Sequence, residues 1–318
     1  MAFSVKTATK RAEMMARIRS FFARRNVLEV ETPVLSRTAI TDCYIDLFNT
    51  VYHPCGTHTA IDTETFFLQS SPELFMKRLL AAGFPDIFQI SKVFRNGECG
   101  RLHNPEFTML EWYRLGFDMY RLIDEVAALL SDLFGEVKVT RIAYKELFER
   151  FTGIDPLAAS MQDVAAFLKE KEMEVPDCVD QSDTLRFTMS MYIEPKLPQD
   201  ELIVVFNYPR EQAVLSVIDC EDNRVARRFE CYYRGMELAN GFEELTDHNE
   251  NARRVRDEVR RRKERGRTDG TPSIDFDPSV ISGLPACSGV AVGLDRVLLC
   301  CLEGTDISSV MSFDWNNC

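Results

Sequence analysis

The chain has 318 residues, 45% of them apolar and 28% charged, enough for one large domain or two ordinary ones, and it is neither disordered, collagen-like nor coiled-coil. Acidic residues outnumber basic ones by 50 to 38, a formal charge of −12, which excludes a broad nucleic-acid-binding face unless the cations are concentrated. The longest uncharged stretch, residues 278–294, is broken by Gly283, Pro285, Gly289 and Gly293 and cannot span a membrane.

Residues 1–22 are basic, with Glu13 the sole acid, and have no apolar run before a small-residue cleavage site, so they are not a secretory signal. They could imitate a mitochondrial presequence, but Met15, Ile18 and Phe22 fall at helical spacing and favour an amphipathic helix over about residues 9–26. Residues 27–32 alternate as a strand and meet Pro33. Strands over 86–94 and 107–114 flank the polar loop 95–106, predicting a hairpin with a long functional loop. Residues 120–198 read as mostly helical. Strand patterns return over 202–206, 215–218 and 228–237, then a charged helix over 247–265 and a polar loop to about Gly283. A strand around 289–292 runs into a helix over 294–302. Hairpin-joined strands interrupted by helices predict an α+β fold with a mainly antiparallel sheet, and with no convincing linker, residues 1–318 read as a single domain.

Of the ten cysteines none forms a Cys-x-x-Cys pair, and Cys300 and Cys301 lie in an apolar run. They read as small buried hydrophobes in a reducing, cytosolic compartment. His53, Cys55 and His58 could supply three metal ligands, but their loop lacks a fourth and the metal reading is disfavoured. Between Arg253 and Arg267 nine basic residues meet three acids, a pattern that fits a solvated helix of mixed charge better than a nucleic-acid surface.

Three features could carry chemistry. Glu237 and Glu244 flank Asn240-Gly241, the strongest two-residue hairpin signal. If those residues form the turn, the carboxylates face each other, a repulsion that a divalent cation would relieve; a solvated edge hairpin is the plainer alternative. Arg95, ending an apolar strand in Phe94-Arg95-Asn96-Gly97-Glu98, shares a face with Val93, Ser91 and Gln89 and could hold a phosphate bidentately. Gly289 to Arg296 reads Gly-Val-Ala-Val-Gly-Leu-Asp-Arg: Asp295 suits a helix start, whereas Arg296 opposes the helix dipole and is placed to hold an anion. A fourth, Ser70-Ser71-Pro72-Glu73, reads locally as a helix-capping signature.

In this order the pieces resemble the catalytic core of class II aminoacyl-tRNA synthetases. VLEVETP (27–33) after a helix is similar to motif 1, the dimerisation element ending in proline; residues 94–107 are similar to motif 2, and Gly289 to Arg296 to motif 3. HNPEFTMLEWY (103–113) and ELANGFEELTD (237–247) point to the lysyl subgroup. The chain begins almost at motif 1, so the expectation is that no anticodon-binding domain is present. A lysyl-like core standing alone, with SPELFMKRLL (71–80) and ARRFECYYRGMELANGFEELTD (226–247), resembles the elongation factor P–(R)-β-lysine ligases, which activate β-lysine with ATP and transfer it to a lysine ε-amine on elongation factor P.

The resemblance implies a site, residue by residue. Arg95 holds the α-phosphate and Arg296 the γ-phosphate of ATP. Asn96, Gly97, Asn104, Leu238 and Gly293 line the nucleotide site, Glu237 and Glu244 take Mg²⁺, and Glu244 also faces the substrate amines. Ser71, Pro72, Glu73 and Tyr113 border the amino-acid pocket. Ala291 stands where the tRNA synthetases usually have glycine, an added methyl worth about 1–3 kcal/mol of discrimination, placed to disfavour L-lysine against (R)-β-lysine. Gly97 departs from the usual motif 2 glutamate, and either Glu98 takes that role or the backbone suffices. The implied assembly is a homodimer without a membrane partner, and the acidic balance disfavours tRNA. Two alternatives remain: a free-standing core acting on tRNA or a free amine, and a non-catalytic synthetase-like regulatory subunit.

Overall fold

The computed structural model describes residues 3–38, 42–54, 64–174, 180–266 and 282–318. Its contacts divide into two compact units, Met1–Gly116 with Leu245–Cys318, and Phe117–Glu244.

The first unit opens with helix α1 (Val5–Ala23), four residues earlier than its apolar spacing predicts, because the Ser4 hydroxyl caps it by accepting the Thr7 amide at 3.1 Å. Its buried face is Met14, Ile18, Phe21 and Phe22, one residue away from the expected Met15. Phe22 stacks on Phe88 at 4.4 Å and meets Trp112 edge-on at 5.2 Å. Strand β1 (Leu28–Glu29) is shorter than expected. A small antiparallel sheet follows, with β4 (Glu64–Leu68) between β2 (Leu35–Ser36) and β3 (Asn49–Tyr52). Helix α2 (Glu73–Ala81) leads to β5 (Ile87–Phe94) and β6 (Glu106–Leu115), the predicted hairpin, whose register runs from Ile87 opposite Tyr113 to Phe94 opposite Glu106. β1 lies parallel to β5.

The second unit begins with α3 (Met119–Phe134). The stretch expected to be mostly helical contains the strand β7 (Lys138–Ala143) before α4 (Tyr144–Thr152), α5 (Met161–Glu170) and α6 (Gln181–Thr188). β7 pairs parallel with β8 (Glu201–Pro209), and β8 pairs antiparallel with β9 (Val225–Tyr233). The expected strand over 215–218 is reduced to isolated bridges at Ser216 and Ile218. β9 turns into β10 (Met236–Glu243), antiparallel to it. The core of this unit gathers Phe148, Val164, Ile193 and Val205, all fully buried, around Tyr144 and Tyr208.

The first unit resumes with α7 (His248–Glu264), within one residue of the expected bounds and capped by the Asp247 carboxylate, then β11 (Cys287–Gly293) and α8 (Leu294–Cys301). β11 pairs antiparallel with β6, Gly289 opposite Tyr113 and Ala291 opposite Glu111. The fold is therefore α+β with mainly antiparallel strands. On α7 the charges pair with one another: Arg253 and Arg254 with Glu250, Arg260 with Asp257, Arg261 with Glu258. Arg262 is fully buried and donates to the Asp42 and Ile45 carbonyls, both at 2.5 Å. Cys300 is buried, but Cys301 is exposed, since successive helix residues point about 100° apart. No helix among the described residues is long and apolar enough to cross a membrane.

Candidate active site

In the first unit the strands present a polar row where an apolar one would pack better. Gln89, Glu111 and Ala291 lie side by side on β5, β6 and β11. Glu111 is 2% exposed; Ser71 Oγ donates to its Oε2 at 2.8 Å and the Tyr113 hydroxyl to its Oε1 at 2.7 Å. Burial pushes the Glu111 carboxyl up to about 7, the neighbouring Glu73 carboxylate adds to the rise, and the Tyr113 and Ser71 hydroxyls and the Lys77 ammonium pull it back.

Glu111 is the residue that sequence reasoning missed. A signal was present: Glu111 is the only charged residue in the run Phe107 to Tyr113, two positions before Tyr113 and so on the same face.

The expected capping box at Ser70 does not form. Pro72 occupies the cap position of α2 with no side-chain cap bond, and Ser71 Oγ instead accepts the Glu73 amide at 3.0 Å while donating to Glu111. One lone pair and the proton of a single hydroxyl thus lock the start of α2 against β6. Ser71, Glu73 and Tyr113 are thereby gathered at Glu111, with Ala291 directly across from it.

The two arginines meet at the motif 2 loop. Arg95 follows the end of β5; its amide donates to Pro105 O at 2.9 Å and its guanidinium lies 5.1 Å over the Phe107 ring. Its Nε is buried and has no hydrogen-bond acceptor among the described residues. Arg296, in the first turn of α8, donates from Nε to Leu102 O at 3.2 Å and from its terminal nitrogen to His103 Nε2 at 2.7 Å. Burial, then the charges of Arg296 and Arg95, lower His103 to about 4, so at neutral pH its Nε2 is an acceptor.

Gly97 has φ of +80°, a left-handed conformation that would strain glutamate. Glu98 faces Arg95 at 3.8 Å instead. Asn96 is exposed, its amide bonded to Asp46 O at 2.8 Å. Asn104 is committed at both ends, Nδ2 to Glu106 O at 2.7 Å and Oδ1 from the Trp315 amide at 2.8 Å. Gly293 heads α8, and a methyl added there would meet nothing within 4 Å. Asp295 does not serve only as a helix start: Oδ1 takes Arg11 at 2.6 Å and Oδ2 the Thr108 amide at 2.6 Å.

In the second unit the expected hairpin at Asn240-Gly241 is not a turn. Both residues lie inside β10, opposite Glu230 and Phe229. The turn is Arg234-Gly235, with φ of +52° and +67°, as a tight hairpin of this hand requires. A turn at 240–241 would have taken from β9 the pairing that it makes with β10 over Arg228–Tyr233. Glu237 therefore lies in β10 and Glu244 directly follows its end, bridged to Ser216, seven residues apart, where plain alternation would put them on opposite faces. The register shifts between Glu237, opposite Tyr232, and Ala239, opposite Cys231. The extra residue, Leu238, restores the parity, so Glu237, Asn240, Phe242 and Glu244 share the face of Arg228, Glu230 and Tyr232. Glu244 is 2% exposed and Leu238 is equally buried. Behind them Glu230 binds Arg228, Tyr232 and, at 2.6 Å, the Tyr208 hydroxyl, while Arg228 Nε donates to Asn240 Oδ1 at 3.2 Å.

Of the disfavoured metal trio, Cys55 and His58 lie outside the described residues. Among the described residues Asp42, Cys43 and Glu258 bring potential ligand atoms within 4.8 Å of one another.

Residues 4–317 match the family of tRNA synthetases class II (D, K and N). The chain is 43% identical over 319 residues to the elongation factor P–(R)-beta-lysine ligase of Pasteurella multocida, covering 99% of this chain and 96% of that protein. The ligases of Mannheimia succiniciproducens and Actinobacillus succinogenes are 43% and 44% identical, each over 96% of its length. With the motif 3 arginine of α8 bonded to the motif 2 loop that carries Arg95, the chain belongs to the class II tRNA synthetase family of the D, K and N type and, within it, to the group of elongation factor P–(R)-β-lysine ligases.

Proposed function

We propose that this chain activates (R)-β-lysine with ATP as an aminoacyl-adenylate and transfers it to a lysine ε-amine of elongation factor P. The observation that carries the reading is the Glu111 row. A buried carboxylate held by two hydroxyls beside a second carboxylate, Glu73, suits an ammonium group, and Ala291 opposite it narrows the space for the amino acid's carbon skeleton. The relatives' names supply the rest.

The chemistry asks little of the protein beyond positioning and charge. An oxygen of the substrate carboxylate attacks the α-phosphorus of ATP and pyrophosphate leaves. The acceptor amine, deprotonated, then attacks the carbonyl carbon of the mixed anhydride; AMP leaves and the nitrogen gives up its second proton. Arg95, with a buried Nε seeking an acceptor, holds the α-phosphate, and Arg296 holds the γ-phosphate. Asn96, Gly97, Asn104, Leu238 and Gly293 border the nucleotide, Asn104 by shaping the backbone. Ser71, Pro72, Glu73, Tyr113, Glu111 and Glu244 border the amino acid.

Glu237 and Glu244 would hold Mg²⁺. Their shared face and carboxylate donors fit a hard cation, which when bound would neutralise phosphate charge. The same proposal takes residues 1–318 as one catalytic domain, a homodimer through α1 and residues 27–33, and a cytosolic location.

The test is ATP–pyrophosphate exchange without tRNA, comparing (R)-β-lysine, L-lysine, aspartate and no amino acid. Preference for β-lysine supports the reading; preference for L-lysine moves the function to the lysyl alternative. Exchange with none of them overturns it and leaves the regulatory subunit.

A further inference from the structure

Helix α2 buries a lysine where an apolar residue would pack at less cost. Lys77 is 3% exposed, on the same side as Leu74, Met76 and Leu80. Its ammonium pairs with Glu73 at 2.5 Å, one turn earlier, and the Glu73 side chain keeps only 18% of its exposure. An exposed pair at this spacing is worth a few tenths of a kcal/mol, and a buried lysine tends to lose its proton unless charge holds it. This one therefore needs a reason, and its neighbours supply it. Ser71 Oγ accepts the Glu73 amide and donates to the Glu111 carboxylate, so the start of α2 carries the Glu73–Lys77 pair to Glu111; the Glu73 charge raises the proton affinity of Glu111 and the Lys77 charge lowers it.

We propose that Lys77 is a positioning residue of the amino-acid pocket, holding Glu73 in place and supplying the fixed positive charge that lets the buried Glu111 ionise near neutral pH beside the half-buried Glu73 carboxylate and receive one further ammonium. This rests on the reading of the Glu111 row as the amino-acid site. The charge count is the argument: with Glu111 ionised, Glu73 and Glu111 with Lys77 carry a net −1, which one ammonium neutralises and thereby favours. Without Lys77 the pair would stand at −2, and like charges sharing a buried site resolve the repulsion by taking up a proton. A protonated Glu111 no longer attracts an ammonium. Among the described residues, Glu111 is faced by Ser71, Glu73 and Lys77 from the α2 end, Tyr113 from its own strand, Gln89 from β5 and Ala291 from β11. Of these, Lys77 is the positive one.

The experiment titrates Glu111 directly, by carboxyl NMR on protein labelled with ¹³C-glutamate, with Glu111→Gln for assignment. In Lys77→Met the midpoint should rise by about one pH unit. In pyrophosphate exchange the KM for the amino acid should then rise about fivefold at pH 7, with kcat little changed, and the gap should close by about pH 9 as Glu111 ionises again. Lys77→Gln keeps hydrogen-bond donors without the charge and should behave as Lys77→Met does. The double variant Glu73→Gln/Lys77→Met should bring the midpoint back towards its original value, because both opposing charges are gone. An unmoved Glu111 midpoint in folded Lys77→Met, a wild-type profile in Lys77→Gln, or a KM penalty that does not vary with pH overturns the proposal. If the wild-type protein exchanges with no amino acid, the functional reading fails, while the NMR titration still decides the role of Lys77.

Discussion

Arg11, Thr108 and Asp295 form a closed ring between α1, β6 and α8, and removing the charge at its centre should both destabilise the protein and loosen Arg296. Asp295 is 3% exposed. Its two oxygens accept from Arg11 and from the Thr108 amide, each at 2.6 Å, and the other terminal nitrogen of Arg11 donates to Thr108 Oγ1, also at 2.6 Å. In Asp295→Asn one of the two accepting positions becomes an amide donor, so one charge-assisted bond is lost. Removing one partner of a buried pair costs about 3–5 kcal/mol, but the Arg11 side chain is 21% exposed and can turn towards water, so about 2–3 kcal/mol is expected. Arg11→Met should cost about 3 kcal/mol, because it leaves the carboxylate buried with only the amide. The double variant should cost less than the sum by at least about 1.5 kcal/mol. Urea unfolding at unchanged m measures all three, and pyrophosphate exchange on the same samples should show a raised KM for ATP in Asp295→Asn, since Arg296 follows it in α8. Additive costs, with no coupling energy, would refute the ring as the element that fixes the start of α8.

Arg296→Ala should leave the fold intact and lower exchange by about 10²–10³; undiminished exchange would remove Arg296 from the nucleotide site. His103 contributes a defined acid sensitivity. Its folded value of about 4 lies below the ordinary 6.5, so the unfolded chain binds the extra proton first and stability falls as pH drops from about 6.5 to about 4. His103→Gln should flatten that part of the stability–pH curve, and an unchanged curve would contradict the neutral, Arg296-accepting imidazole. Sedimentation at micromolar concentration should show a dimer, and a monomer alone would break the motif 1 reading of residues 27–33. Deleting Leu238 removes the extra residue of β10 and should abolish Mg²⁺-dependent exchange; full activity in a folded deletion variant would mean that Glu237 and Glu244 need not share a face.

The regular elements were legible where local physics decides them. β5 and β6 lie within one residue of the ends that alternation predicts, and α7 starts at the Asp247 cap and carries its ion pairs at the three- and four-residue spacings visible in the sequence. Arg262 on the same helix was not legible: its acceptors are carbonyls some 220 residues earlier, and nothing nearby in the chain distinguishes it from its solvated neighbours. The hairpin at Asn240-Gly241 failed for a related reason. Turn propensity is a local preference of about a kcal/mol, whereas full-length pairing of β9 with β10 is a tertiary gain, so the tighter turn moved to Arg234-Gly235.

Motif order, and with it the family, was carried by the sequence alone, because loops and strand ends that hold a nucleotide need particular residues at particular spacings. What only the tertiary structure decided was the environment of those residues. The bulge at Leu238 set the face of Glu244, and the start of α2 with two strands from separate parts of the chain placed Ser71, Glu111 and Ala291 together. A carboxylate's proton affinity depends on the water excluded from it and the charges beside it, and at Glu111 both come from residues that the sequence keeps far apart.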